Sequence, residues 1–117
     1  MKLAIVGGRD FTDYTLFCKE LAIVQSKWGL PEEVISGGAR GADTLASRWA
    51  REHEIKLTVL KPHWDGNNNP KAGLDRNTDI INASTHVIAF PTKKSRGTWD
   101  SIRKAKAKSK ELKVVKV

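Results

Sequence analysis

The chain has 117 residues, a formal net charge of +8 and a single cysteine. This length suits one domain over residues 1–117, with one core and no separate substrate domain. The lone Cys18 excludes an internal disulfide framework and a cysteine-cluster metal site, and no apolar run approaches membrane-spanning length.

Leu3–Val6 is an apolar run ending in Gly7-Gly8, which predicts a strand entering a turn. The stretch is too short for a signal peptide. With a free thiol and no export signal, the expectation is a cytoplasmic protein with no membrane partner. From Thr12, placed as the N-cap, the pattern turns helical. Tyr14, Phe17, Leu21, Val24 and Trp28 recur at spacings of three and four, and Gly29 followed by Pro31 ends the helix.

Val34-Ile35 predicts a second strand, stopping at Ser36-Gly37-Gly38. A second helix follows, with Ala42, Leu45, Ala46, Trp49, Ala50 and His53 on its inner face. Leu57–Leu60 is the third strand. Pro62, Gly66 and three consecutive asparagines mark Lys61–Asn69 as a loop, and Asn69-Pro70 suits the start of a third helix running to about Asn82.

His86–Phe90 is the fourth strand. A polar loop, Pro91–Arg96, leads to Gly97-Thr98 and a fourth helix ending near Ser109, and Leu112–Val117 closes the series as a fifth strand. Here the charge becomes uneven. Residues 1–92 hold 11 basic and 11 acidic residues, whereas residues 93–117 hold 10 basic and 2 acidic ones, which is the whole net charge. A basic end of this kind serves an anionic ligand or nucleic acid, or is a solvated lysine-rich face.

The alternation predicts an α/β fold: a Rossmann-like three-layer αβα sandwich with a parallel sheet of about five strands. Ligands of such sheets bind outside the carboxyl ends of the strands. Three strand-to-helix connections there carry glycine, namely Gly7-Gly8-Arg9, Gly37-Gly38-Ala39-Arg40-Gly41 and Ser95-Arg96-Gly97-Thr98. Glycine lets an anion approach backbone N–H groups, and a helix N-terminus adds free donors and a favourable dipole. The GxGxxG fingerprint and the GxxxxGK[ST] phosphate loop are both absent, which argues against a standard dehydrogenase and a P-loop ATPase.

With Ser36–Asp43 in view, the chain resembles the SLOG superfamily, the group of the Smf/DprA DNA-processing proteins and the LOG phosphoribohydrolases. It is most similar to the small stand-alone YspA-like branch. The resemblance rests on Gly7-Gly8-Arg9-Asp10-Phe11, Gly37–Asp43, Trp64-Asp65, Ala72-Gly73 with Arg76-Asn77, and Gly97-Thr98. It implies a sheet that binds nucleotide or nucleotide-derived ligands, with no cofactor expected, and a homodimer or larger assembly.

LOG enzymes cleave the N-glycosidic bond of nucleoside monophosphates. The resemblance places Arg76 at their catalytic arginine, and Gly97-Thr98 in their PGGxGTxxE motif. A lysine-rich insertion replaces the paired glycines of that motif. Asp100 lies two residues after Thr98 where the family glutamate lies three after its threonine, and Ser101 holds that third position.

Arg76 shares a helix side with Ile80, so its charge needs a partner. That partner is a ligand phosphate, or a salt bridge to Asp79 or Asp100. Asn77 bonds a ligand or caps a nearby loop. Arg9 and Arg40 hold phosphate or are solvated, and Asp43 bonds ribose hydroxyls or favours its helix dipole. Trp64 stacks on a base or covers the sheet end. Trp99, sharing a face with Ile102, is assigned to the core, as are Trp28 and Trp49. His53, His63 and His86 lack ligand spacing, so no metal site is expected. On the last helix Arg103, Lys104, Lys108 and Lys110 form a solvated face, which becomes a phosphate-backbone surface only if it adjoins other basic loops.

Three functions follow. The first is a binding protein for a nucleotide or nucleotide-derived ligand, with phosphate on the Gly37–Ala42 loop and the Gly97 helix start and with Arg76 closing the charge. The second is a nucleoside monophosphate N-glycosidase, in which Asp100 or Asp43 stabilises the ribosyl cation. The third is a single-stranded nucleic-acid-binding module.

Overall fold

The computed structural model describes residues 1–62 and 72–117. Five strands alternate with four helices: β1 (Lys2–Gly7), α1 (Tyr14–Trp28), β2 (Glu33–Ser36), α2 (Ala42–Glu52), β3 (Lys56–Val59), α3 (Ala72–Ala83), β4 (His86–Phe90), α4 (Arg96–Ala107) and β5 (Glu111–Val114). All pairings are parallel, in the order β3-β2-β1-β4-β5. The Rossmann-like αβα sandwich expected from the alternation is the observed fold.

The strands read as apolar runs because both sheet faces are covered. Leu3, Ile5, Ile88 and Phe90 point to the layer of α1 and α2, where Phe17, Leu21, Leu45 and Trp49 meet them. Ala4, Val6, Val87 and Ala89 point to the opposite layer, against Ile80, Ile81, Ile102 and Ala105 of α3 and α4. Phe90 stacks on Phe11 and Phe17 with centroids 4.9 and 5.2 Å apart. Among the described residues no helix is long and apolar enough to cross a membrane.

Several local expectations are corrected. Asp13, not Thr12, caps α1, its carboxylate accepting the Leu16 N–H at 3.0 Å. His53 lies just past the end of α2, exposed and stacked on Trp49. The last helix stops at Ala107 and the last strand at Val114.

Trp99 is 39% exposed rather than in the core. It stands about 60° around the helix from buried Ile102, on the edge of the apolar stripe. Lys104 and Lys108 are not simply solvated. Lys104 reaches the Leu74 carbonyl at 2.7 Å and Lys108 reaches Asn82, so both tie α4 to α3. The predicted start of the third helix at Asn69-Pro70 and the loop residue Trp64 lie outside the described residues.

Candidate functional site

The chain runs outward through β1, β2 and β3, then returns across the sheet to β4. Loops after β1 and β4 therefore leave in opposite senses, and a cleft opens between them at the topological switch point. Its volume is about 680 Å³.

Direct bonds bring the loops together. The Gly8 N–H donates to the Phe90 carbonyl at 3.1 Å, while the Gly8 carbonyl accepts the Phe11 and Ala42 N–H groups at 3.2 Å. The Thr92 hydroxyl donates to the Asp10 carboxylate at 2.6 Å, which stitches the first loop to the loop after β4. Ser95 folds that second loop on itself, accepting the Thr92 N–H at 2.7 Å and donating to the Thr92 carbonyl at 2.8 Å.

A second chain of bonds crosses the floor. Arg76, on α3, donates to the Gly37 carbonyl at 2.9 Å and to the Asn77 side-chain oxygen at 3.2 Å. Asn77 in turn donates to the Gly97 carbonyl at 3.2 Å and to Asp100 at 3.3 Å. One turn of α3 thereby links the β2–α2 loop to the start of α4. Two of the five N–H donors of Arg76 are engaged in these bonds.

The cleft is lined by Gly7, Gly8, Arg9 and Asp10 of the first loop, by Gly37, Ala39 and Asp43, by Arg76 and Asn77, and by residues 93–98. Val6, Ile80 and Ser101 complete the lining. Among the described residues of the lining, Arg9, Arg76, Lys93, Lys94 and Arg96 face two acids, Asp10 and Asp43. Both acids already have partners: Asp10 accepts from Thr92, and buried Asp43 accepts the Ala39 N–H at 2.9 Å.

Hydrogen bonding by Thr92, with Lys94 nearby, holds the Asp10 carboxyl below its usual range. Burial pushes the Asp43 carboxyl up, against the opposing pull of the Ala39 N–H and the Arg76 charge. Burial pulls the Arg76 guanidinium down, Asp43 opposes this, and Arg9 adds to it. Desolvation thus outweighs attraction on both partners. The guanidinium stays charged, with Asp43 as the carboxylate that opposes its desolvation. Such a site favours an incoming anion.

The cleft therefore gathers Gly7, Gly8, Arg9, Gly37, Ala39, Asp43, Arg76, Asn77, Gly97 and Thr98 from the residues singled out in the sequence. The others among the described residues stand elsewhere. Gly38, at φ 71°, faces Val59, and Arg40 is exposed away from the lining. Gly41 and Ala42 are buried behind the lining, against the Gly8 carbonyl. Asp100 is also outside it. Its carboxylate is taken by Asn77, by Lys104 at 2.7 Å and by Arg103 at 3.6 Å. The salt bridge to Asp79 or Asp100 that was the alternative to a ligand partner for Arg76 does not form among the described residues, where Arg76 bonds Gly37 and Asn77 instead.

Sequence reasoning placed the Ser95–Thr98 loop at this rim but did not single out Asp10, Lys93, Lys94 or Ser101 as lining residues. The signal was present in the basic Pro91–Arg96 loop. It was read as a replacement for glycines rather than as charge on the rim.

Comparisons with known proteins agree with this architecture. The family model for YspA, cpYpsA-related SLOG proteins matches residues 1–66. The gene 61 protein of Mycobacterium phage D29 is 36% identical over 112 residues, spanning 89% of this chain and 87% of the phage protein. A solved structure of DNA processing protein A from Helicobacter pylori superposes with a TM-score of 0.72 and 27% identity over 97% of this chain. That structure describes a single-stranded DNA binding mode, and this chain spans 64% of its length.

Proposed function

The chain belongs to the YspA, cpYpsA-related SLOG family, and from that premise we propose that its cleft binds the phosphate backbone of a single-stranded nucleic acid. The observation that carries this reading is the charge of the cleft. Five cations converge on a space whose two acids are already hydrogen-bonded. Arg76 lines the cleft, with two of its five donors engaged among the described residues, and the guanidinium fork matches phosphate oxygens. Lys93, Lys94 and Arg96 supply exposed charge on the rim, where a strand can enter and leave. The likeness to a DNA processing protein whose single-stranded DNA binding mode is described supports a strand as the ligand.

A free nucleotide is the second reading. The cleft volume favours it, because about 680 Å³ lies within the usual range of small-molecule sites, roughly 300–1,000 Å³. In that reading one nucleotide fills the cleft, its phosphate on Arg76. Turnover by N-glycosidic cleavage would additionally need a carboxylate beside the ribose. Asp43 is in the lining and Asp100 is not.

Fluorescence anisotropy with a labelled oligothymidylate, competed with nucleoside monophosphates, tests both readings. The expected result is oligonucleotide binding at low salt that the charge reversals Lys93→Glu and Lys94→Glu together weaken by about tenfold or more. Their side chains are exposed, so folding is left intact. Absence of oligonucleotide binding at low salt defeats the strand reading. Mononucleotides competing at equal strength shift the assignment to the second reading, and free base in the mixture would make the protein an enzyme.

A further inference from the structure

The exposed face of α4 carries a pattern that begins at the cleft with Arg96 and continues beyond it. Arg96, Trp99, Arg103 and Lys106 fall at spacings of three, seven and ten residues, within about 80° of one another around the axis. All four are exposed. The far side of the helix holds the buried residues Thr98, Ser101 and Ala105, and buried Ile102 borders the stripe beside Trp99 and Lys106. Asp100 is bonded to Asn77 and Lys104 and also pairs with Arg103 at 3.6 Å, so its one negative charge is shared between two cations of α4, and Arg96 and Lys106 form no ion pair among the described residues.

An indole that is 39% exposed between two arginines stands out on a helix that buries Ile102 and Ala105. Among the described residues Trp28 meets His86 edge-on, Trp49 stacks with His53, and Trp99 pairs with no ring. The side chain of Arg103 is 70% exposed. The stripe is continuous with the cleft, because Arg96 belongs to both.

We infer that this face of α4 is a second nucleic-acid contact, in which a strand leaving the cleft past Arg96 stacks a base on Trp99 and sets its phosphates against Arg103 and Lys106. The inference rests on the strand reading of the cleft. Base stacking on aromatic rings tolerates any sequence, and neighbouring cations match the backbone charge. From Arg96 to Arg103 the helix rises about 10 Å, which a stacked strand covers in roughly three nucleotides at ~3.4 Å each. The cleft would then account for the first nucleotides and the helix for the following ones.

Trp99→Ala and Trp99→Phe, measured with two probes, test the inference. One probe is a dinucleotide, short enough for the cleft alone. The other is an oligothymidylate of roughly twelve nucleotides. Trp99→Ala should weaken the long probe about tenfold and leave the dinucleotide unchanged, while Trp99→Phe keeps most of the affinity. Arg103→Glu should act on the long probe alone.

Equal affinity of Trp99→Ala and wild type for the long probe overturns the inference. If the same long probe still loses binding on reversal of Lys93 and Lys94, the cleft reading survives that failure. A wild-type protein that binds neither probe at low salt sinks both. A change in subunit number on Trp99→Ala without any change in affinity would assign the stripe to a protein interface and likewise end the proposal.

Discussion

At Gly41 the backbone holds φ 73° and ψ −125°, a region open essentially to glycine alone. A methyl group there would run into the Gly8 carbonyl and the backbone of Arg9. Gly41→Ala should therefore cost about 2 kcal/mol or more, since strain and a backbone clash add. A lower urea midpoint with an unchanged slope checks it. The sequence shows these glycines as a loop at a helix start. It does not show that Gly41 serves the fit of one loop against another while Gly37 meets the Arg76 side chain, because the close approach is between distant segments.

Asp43 makes the cleft sensitive to acid. Its carboxyl is raised above 3.8 by burial, so the native state holds that proton more tightly than the unfolded chain. As pH rises from the unfolded value through the raised one, this group takes stability away, and the same stability returns on acidification. A phosphodiester bound nearby would raise the carboxyl further, so binding takes up a proton. Oligonucleotide affinity should rise as pH falls toward that range, and Asp43→Asn should flatten the profile and bind more tightly at neutral pH. A wild-type profile identical to that of the variant would remove Asp43 from the account.

Among the elements, α1 shows what periodicity conveys and what it leaves open. The stripe from Tyr14 to Trp28 appears in the structure as a helix burying Phe17, Leu21 and Val24. Thr12 and Asp13 are both good capping residues, and only the path of the incoming loop selects between them. Asp13→Ala should cost about 1 kcal/mol, whereas Thr12→Ala should be near neutral; the two thermal midpoints decide. On α4 the stripe of Ile102 and Ala105 was legible, but Trp99 sits at its margin, where spacing alone does not separate core from surface. Lys104 and Lys108 looked like solvent charge because their partners lie on α3, more than twenty residues away in sequence.

For the molecule as a whole, alternating strand and helix signals were enough for the parallel sandwich, because each strand must be covered on both sides. The order β3-β2-β1-β4-β5 was not readable, since it depends on which edge the chain returns to. Nor was the gathering of Lys93, Lys94 and Arg96 beside Arg9 and Arg76, which follows from that return. This clustering sets the expected response to salt. If the cleft and the α4 stripe neutralise three or four phosphates, the logarithm of the binding constant should fall with that of salt at a slope of roughly −2 to −3, and reversing Lys93 and Lys94 should flatten it by about 1.4. A slope near zero would mean that phosphates are not the recognised group.

The pairing of β1 with β4 runs from Leu3 opposite His86 to Gly7 opposite Phe90, and it joins the beginning of the chain to its last third. Each flank of the cleft comes from one side of this seam. A partly unravelled molecule therefore has no recognition site left to occupy, and any occupant draws only on the intact population. At a concentration near a hundred times Kd, that coupling adds about 2.7 kcal/mol to global unfolding, a rise in melting temperature on the order of 10 °C. Heating the protein against a collection of phosphorylated compounds and oligonucleotides would make the unfolding transition itself the reporter of what the seam encloses.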